Sequence, residues 1–93
     1  MPVGLLTLEI QLPYVHSLKE KRAVVQRLLN RLRVRFNVAV AELDHQDTWQ
    51  RARLGVVSVS SSQPLLESSL QQVLAESEKI LGQDVANYTL EFF

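Results

Sequence analysis

The side chains of this sequence best suited to act on another molecule are its lysines and arginines, and they are concentrated. Seven of the ten basic residues fall between Ser17 and Phe36: Lys19, Lys21, Arg22, Arg27, Arg31, Arg33 and Arg35. Three of them, Lys19, Lys21 and Arg22, would stand in the first turns of a helix that begins after Ser17. Cations there oppose the helix macrodipole, at a cost of about 0.3–1 kcal/mol each. The exposed amides at the same end favour anions. Cations kept where local physics disfavours them point to phosphate, in a nucleic-acid backbone or in a small anion held at the Ser17 end. Arg33 extends the basic side of the helix. Arg51 and Arg53, two apart on a strand, share one face and would extend a positive surface if that face is open. Lys19, Lys21, Arg22, Arg33, Arg51 and Arg53 are therefore the expected phosphate contacts.

Other chemistries find little support. His16 and His45 lack a partner at metal-ligand spacing, and there is no cysteine to supply a thiolate or a disulfide. Neither a Gly-rich phosphate loop nor a Gly-x-Ser-x-Gly elbow occurs. Glu42, Asp44 and Asp47 could gather a cation near the hairpin, but such triplets are usually solvated loop residues. Ser17 has no base beside it and is already suited to capping. No enzyme, metal site or cofactor is expected.

The elements that must position the basic residues follow from periodicity. Val3 to Leu12 alternates, with Leu6, Leu8, Ile10 and Leu12 on one face and Val3, Leu5, Thr7, Glu9 and Gln11 on the other. Pro13 ends this strand. Ser17 and Glu20 form a Ser-x-x-Glu capping box. At 100° per residue Leu18, Val25, Leu28, Leu29, Leu32 and Phe36 make a core-facing stripe, and the helix ends near Arg35. Strands are expected at 37–44 and 51–60, joined by the polar loop 45–50. A second helix starts near Pro64, carries Leu65, Leu66, Leu70, Val73, Leu74, Ile80 and Leu81, and stops at Gly82; residues 85–93 are the last strand.

The order is βαββαβ. Right-handed crossovers then give an α+β, ferredoxin-like split βαβ with an antiparallel four-stranded sheet and two helices on one face. With 93 residues, 46% hydrophobic and 22% charged, one globular domain spanning 1–93 is expected. No apolar run reaches the ~20 residues of a membrane span, so no membrane contact is expected and a cytoplasmic location is the default. Net charge is zero, yet residues 19–53 carry +5 and residues 54–93 carry −4. A neutral total thus conceals a basic side.

The sheet's second face has no helix to cover it. Val57 and Val59 of the third strand, with Val3 and Leu5 of the first, would leave an apolar patch there, and a homodimer is the simplest cover. Trp49, next to the third strand, could stack on a base or close the sheet edge, and an anchor for the dimer is the preferred reading. RNA-binding proteins of this topology stack bases on aromatics of the two central strands. Strands 3–12 and 51–60 contain none, which excludes that mode.

Three segments carry a resemblance: Ser17-Leu-Lys-Glu-Lys-Arg22, Arg35-Phe-Asn-Val-Ala-Val-Ala-Glu42 and Asp47-Thr-Trp-Gln-Arg-Ala-Arg-Leu-Gly55. In order and spacing they are similar to the YlxP-like family of small bacterial proteins, a domain of unknown function. The resemblance runs over nearly the whole chain. It implies a ferredoxin-like fold and a cytoplasmic bacterial protein. Members are often encoded near translation and ribosome-maturation factors, which implies an RNA-linked role; it brings no catalytic residue or cofactor. The expectation is a non-enzymatic, dimeric protein that binds RNA or a ribosomal particle through the basic helix. The alternatives are a regulatory domain that pairs with protein through its open sheet, and a small-anion sensor.

Overall fold

The computed structural model describes residues 2–45 and 47–93. In it β1 (Val3–Gln11), α1 (Leu18–Arg35), β2 (Ala39–Asp44), β3 (Arg51–Val59), α2 (Gln63–Leu81) and β4 (Val85–Phe92) follow one another, with a 3-10 turn at Gly82–Asp84. The strands form one antiparallel sheet in the order β2-β3-β1-β4. Both helices lie on one face, so the architecture is the ferredoxin-like α+β fold.

Register decides which side chains face the helices. Leu6, Leu8 and Ile10 of β1 stand opposite Val56, Leu54 and Ala52 of β3, and all six are buried. Val25, Leu28, Leu29 and Leu32 of α1 and Leu66, Leu70, Val73, Leu74 and Leu81 of α2 close over them as one continuous core. Gly4 permits a close approach of α2 to β1. A Cβ there would lie 2.5 Å from Leu70 Cδ1 and 3.1 Å from Phe92 Cε1.

Helix ends are set by side chains. The Ser17 hydroxyl accepts from the Glu20 amide at 3.1 Å, and the Ser62 hydroxyl accepts from Leu65 at 3.4 Å with Pro64 in the first turn. Both helices thereby satisfy one of the amides that a free N-terminus leaves unpaired. At Gly82, φ is +60°, and the chain leaves α2 through a backbone shape that glycine adopts without a Cβ clash.

Strands β1, β3 and β4 each end one residue earlier than expected, and the start of β2 differs most. β2 begins at Ala39 and not at Asn37. The carbonyl of Asn37 accepts a hydrogen bond from the Ser58 hydroxyl at 3.1 Å, and Phe36 still donates its amide to Leu32 of α1. No helix among the described residues is long and apolar enough to cross a membrane.

Candidate nucleic-acid interface

Helix α1 sorts its cations by wheel position. Lys19, Arg22 and Arg33, with Gln26 and Asn30 between them, recur at three- and four-residue steps along one flank, and all five are exposed. From Lys19 to Arg33 is a rise of about 21 Å at 1.5 Å per residue. Arg33 donates from Nη1 to the Asn30 side-chain oxygen at 3.0 Å, which steadies the last cation of the row. Among the described residues no carboxylate pairs with Lys19, Arg22 or Arg33.

Lys21 corrects the sequence expectation. It is 1% exposed, and its ammonium lies 2.8 Å from a Glu42 carboxylate oxygen and donates to the backbone carbonyl of His45. A cation so enclosed is not available to a phosphate. The wheel carries the signal: 21, 25, 28 and 32 are one apolar-stripe series, and Lys21 occupies its first place. At the Ser17 end the carboxylate of Glu20 also accepts from the His16 amide at 3.5 Å. The expected cluster of three cations there is thus a pair, Lys19 and Arg22, beside an acid.

The opposite flank of α1 faces α2. Arg31 Nε lies 3.2 Å from Glu76 Oε2, and Arg35 Nη1 lies 3.5 Å from Glu76 Oε1. Glu76 is only 7% exposed, so these arginines neutralise a carboxylate that burial alone would penalise. Sequence reading passed over Glu76, because its burial depends on arginines from another helix and no local spacing reports that. A groove of about 320 Å³ between the helices is lined by Arg27, Arg31, Glu76, Lys79 and Ile80. At its edge the Tyr14 hydroxyl donates to Asp84 at 2.7 Å. That bond raises the Tyr14 pKa, helped by burial and the Asp84 charge and opposed by Arg27.

Arg51 and Arg53 lie on the far side of the molecule. Val3, Leu5, Glu9 and Gln11 of β1 pair with Val59, Val57, Arg53 and Arg51 of β3, on the face away from the helices. Arg53 is bound to carboxylates there: Nε to Glu9, and Nη1 to Asp44 at 3.4 Å. The hydrogen bond to Glu9 raises its pKa, with the charges of Glu9 and Asp44 adding to the effect. Arg51 is exposed and shares no face with Lys19, Arg22 and Arg33. The six expected phosphate contacts therefore divide into one flank of three, one buried lysine and two arginines on the opposite face.

The three expected interface residues divide as well. Val57 and Val59, 36% and 55% exposed, form the apolar end of the open face with Val3, Leu5, Ala39 and Ala41. Leu43 covers Gly55 beside them, where a Cβ would meet Leu43 Cδ1 at 2.8 Å. Trp49, 48% exposed, lines a recess with Asp47, Thr48 and Gln50 at the other end of β3. From Arg51 to Val59 is about 27 Å of strand. Trp49 and the valines do not share a patch.

Of the acidic triplet, Glu42 turns toward Lys21 beneath the sheet. Asp44 accepts from the His45 amide at 2.7 Å on its other side. That bond and the nearby His45 hold the Asp44 carboxyl below its usual pKa, helped by Arg53 and Arg51 and opposed by desolvation. No group of three possible metal ligands occurs among the described residues.

Comparison with known proteins places this geometry among relatives. The sequence pattern of a family described as "Protein of unknown function (DUF503)" matches residues 3–89. The "Uncharacterized protein YlxP" of Bacillus subtilis (strain 168) is 54% identical over 59 residues, 63% of this chain. That stretch spans 64% of the relative, just under two thirds of its length. A de novo designed protein with ferredoxin fold superposes over 100% of this chain and 83% of its own, with a TM-score of 0.54 and 11% identity. SnoaB, a cofactor-independent oxygenase from Streptomyces nogalater, does so over 99% and 90%, with a TM-score of 0.55 and 13% identity. At such identities these two structures share the fold alone.

Proposed function

The chain belongs to the DUF503 family of proteins of unknown function, and we propose that it is a non-enzymatic protein that binds the phosphate backbone of RNA, free or within a ribosomal particle. The observation that carries this reading is the row of Lys19, Arg22 and Arg33 along one flank of α1, exposed and free of carboxylate partners among the described residues. Lys21, Arg31, Arg35 and Arg53 each find an acid here. Lys19, Arg22 and Arg33 do not, and their spacing in one row over about 21 Å of rigid helix suits successive phosphates of a strand. Such contacts position a backbone and read no sequence.

The test is fluorescence anisotropy with a labelled single-stranded RNA over a series of salt concentrations. Three phosphate contacts give a log–log salt slope of about −2. The Lys19→Glu/Arg22→Glu/Arg33→Glu variant, altered only at exposed positions, loses binding while keeping its circular dichroism spectrum. Absence of binding at low salt, or equal binding by this variant, refutes the reading.

A second feature favours self-association. The cross-strand pairs Val3–Val59 and Leu5–Val57, with Leu43 over Gly55, form an apolar area on the uncovered sheet face. We propose that a second copy of the chain covers it. Sedimentation equilibrium then shows a dimer, and Val57→Lys with Val59→Glu shows a folded monomer. A wild-type monomer at high concentration refutes the pairing.

A further inference from the structure

We propose that the groove between α1 and α2 binds the phosphate group of a phosphate monoester. Arg27, Arg31 and Arg35 recur at four-residue steps on the α2-facing flank of α1. Like charges at that spacing repel one another. Glu76 relieves only the last two, and among the described residues no carboxylate pairs with Arg27. Lys79 adds a further cation from α2, one turn beyond Glu76. Asp84, just beyond α2, accepts from the Tyr14 hydroxyl.

The buried carboxylate orients the groove. Arg31 gives its Nε edge to Glu76, which leaves its terminal nitrogens for another acceptor and limits how far the guanidinium can turn. A planar fork held from behind suits the oxygens of a phosphate. Arg27, Arg31 and Lys79 against Glu76 leave the groove with an excess of two positive charges. A phosphate monoester carries about two negative charges near neutral pH, whereas a backbone diester carries one. Convergence from two helices on a recess of about 320 Å³ also differs from the straight row on the outer flank. This site is independent of that row and of the RNA reading.

Inorganic phosphate is the probe, followed by NMR on the amides of α1 and α2 and the arginine Nε–H groups. Saturable shifts are expected at Arg27, Arg31, Lys79 and Ile80. Arg27→Gln with Lys79→Gln weakens binding about tenfold or more, and the Lys19→Glu/Arg22→Glu/Arg33→Glu variant binds phosphate as the wild type does. Dimethyl phosphate, a singly charged diester, binds at least about tenfold more weakly. RNA with a 5′-phosphate that outcompetes the same RNA with a 5′-hydroxyl assigns the monoester to an RNA end; equal competition assigns it to a free metabolite. No saturable shift, shifts confined to the Ser17 end, or equal affinity for the diester overturns the proposal.

Discussion

The ammonium of Lys21 lies 2.8 Å from a carboxylate oxygen of Glu42, and this pair ties the first turns of α1 to the edge strand β2 beneath the sheet. The same nitrogen donates to the carbonyl of His45, so one side chain holds both the strand and the start of the loop after it. Breaking a buried pair from one side leaves the other charge without its counterion. Glu42 retains some contact with solvent, so Lys21→Ala is expected to cost about 3 kcal/mol, the lower end for such changes. Lys21→Met with Glu42→Leu should cost less than Lys21→Ala alone. Urea denaturation of the two variants makes the comparison.

Asp44 provides a test by pH. Its pKa is lowered from the ordinary value of 3.8, so the folded state favours the carboxylate more than the unfolded chain does. The stabilisation is complete above the unfolded value and is lost as pH falls through the lower folded one. NMR titration of the Asp44 carboxyl carbon should show a midpoint below 3.8. In Asp44→Asn the stability curve should be flatter below that pH. A midpoint at or above the ordinary value contradicts the described hydrogen bond to His45.

Two glycines on opposite faces of the sheet should respond differently to alanine. At Gly4 the added methyl meets Leu70, Phe92 and Leu66 in the core, and overpacking of this kind costs about 1–3 kcal/mol. At Gly55 its nearest contacts are all with Leu43, which is half exposed and can swing into solvent, so the loss should be below about 1 kcal/mol. Thermal unfolding of both variants gives the order.

His45 has a φ of 66°. Left-handed backbone costs a residue with a Cβ about 1–2 kcal/mol. Because Lys21 bonds to the carbonyl of His45 and not to its ring, His45→Gly keeps that contact and should raise stability by about 1 kcal/mol. A loss on unfolding by denaturant would show that the imidazole packs more favourably than the backbone strain costs.

Much of the fold is legible in the sequence because the information is local. The alternation of Leu6, Leu8 and Ile10, the Ser17 cap and Gly82 each state their element within a few residues. The start of β2 is not legible in this way, since it depends on a hydroxyl from Ser58, twenty-one residues away. The basic surface is only half legible. Residue type marked Lys21 as a surface cation, while its place in the series 21, 25, 28, 32 marked it as buried. Arg51 and Arg53 needed the register of β3 against β1 before their face was known, and Glu76 needed the packing of α1 against α2. Each miss is a tertiary relationship that overrides a local preference.

The position of β1 between β3 and β4 has a consequence for how the chain acquires its shape. Its partner on one side, β3, begins forty residues after β1 ends, and its partner on the other, β4, more than seventy. As synthesis proceeds, the apolar face of β1 emerges before the strands it pairs with, and its edge toward β4 waits longest for a partner. Such distant pairing favours slow folding, and the nascent protein spends that interval with an open strand next to its most basic helix.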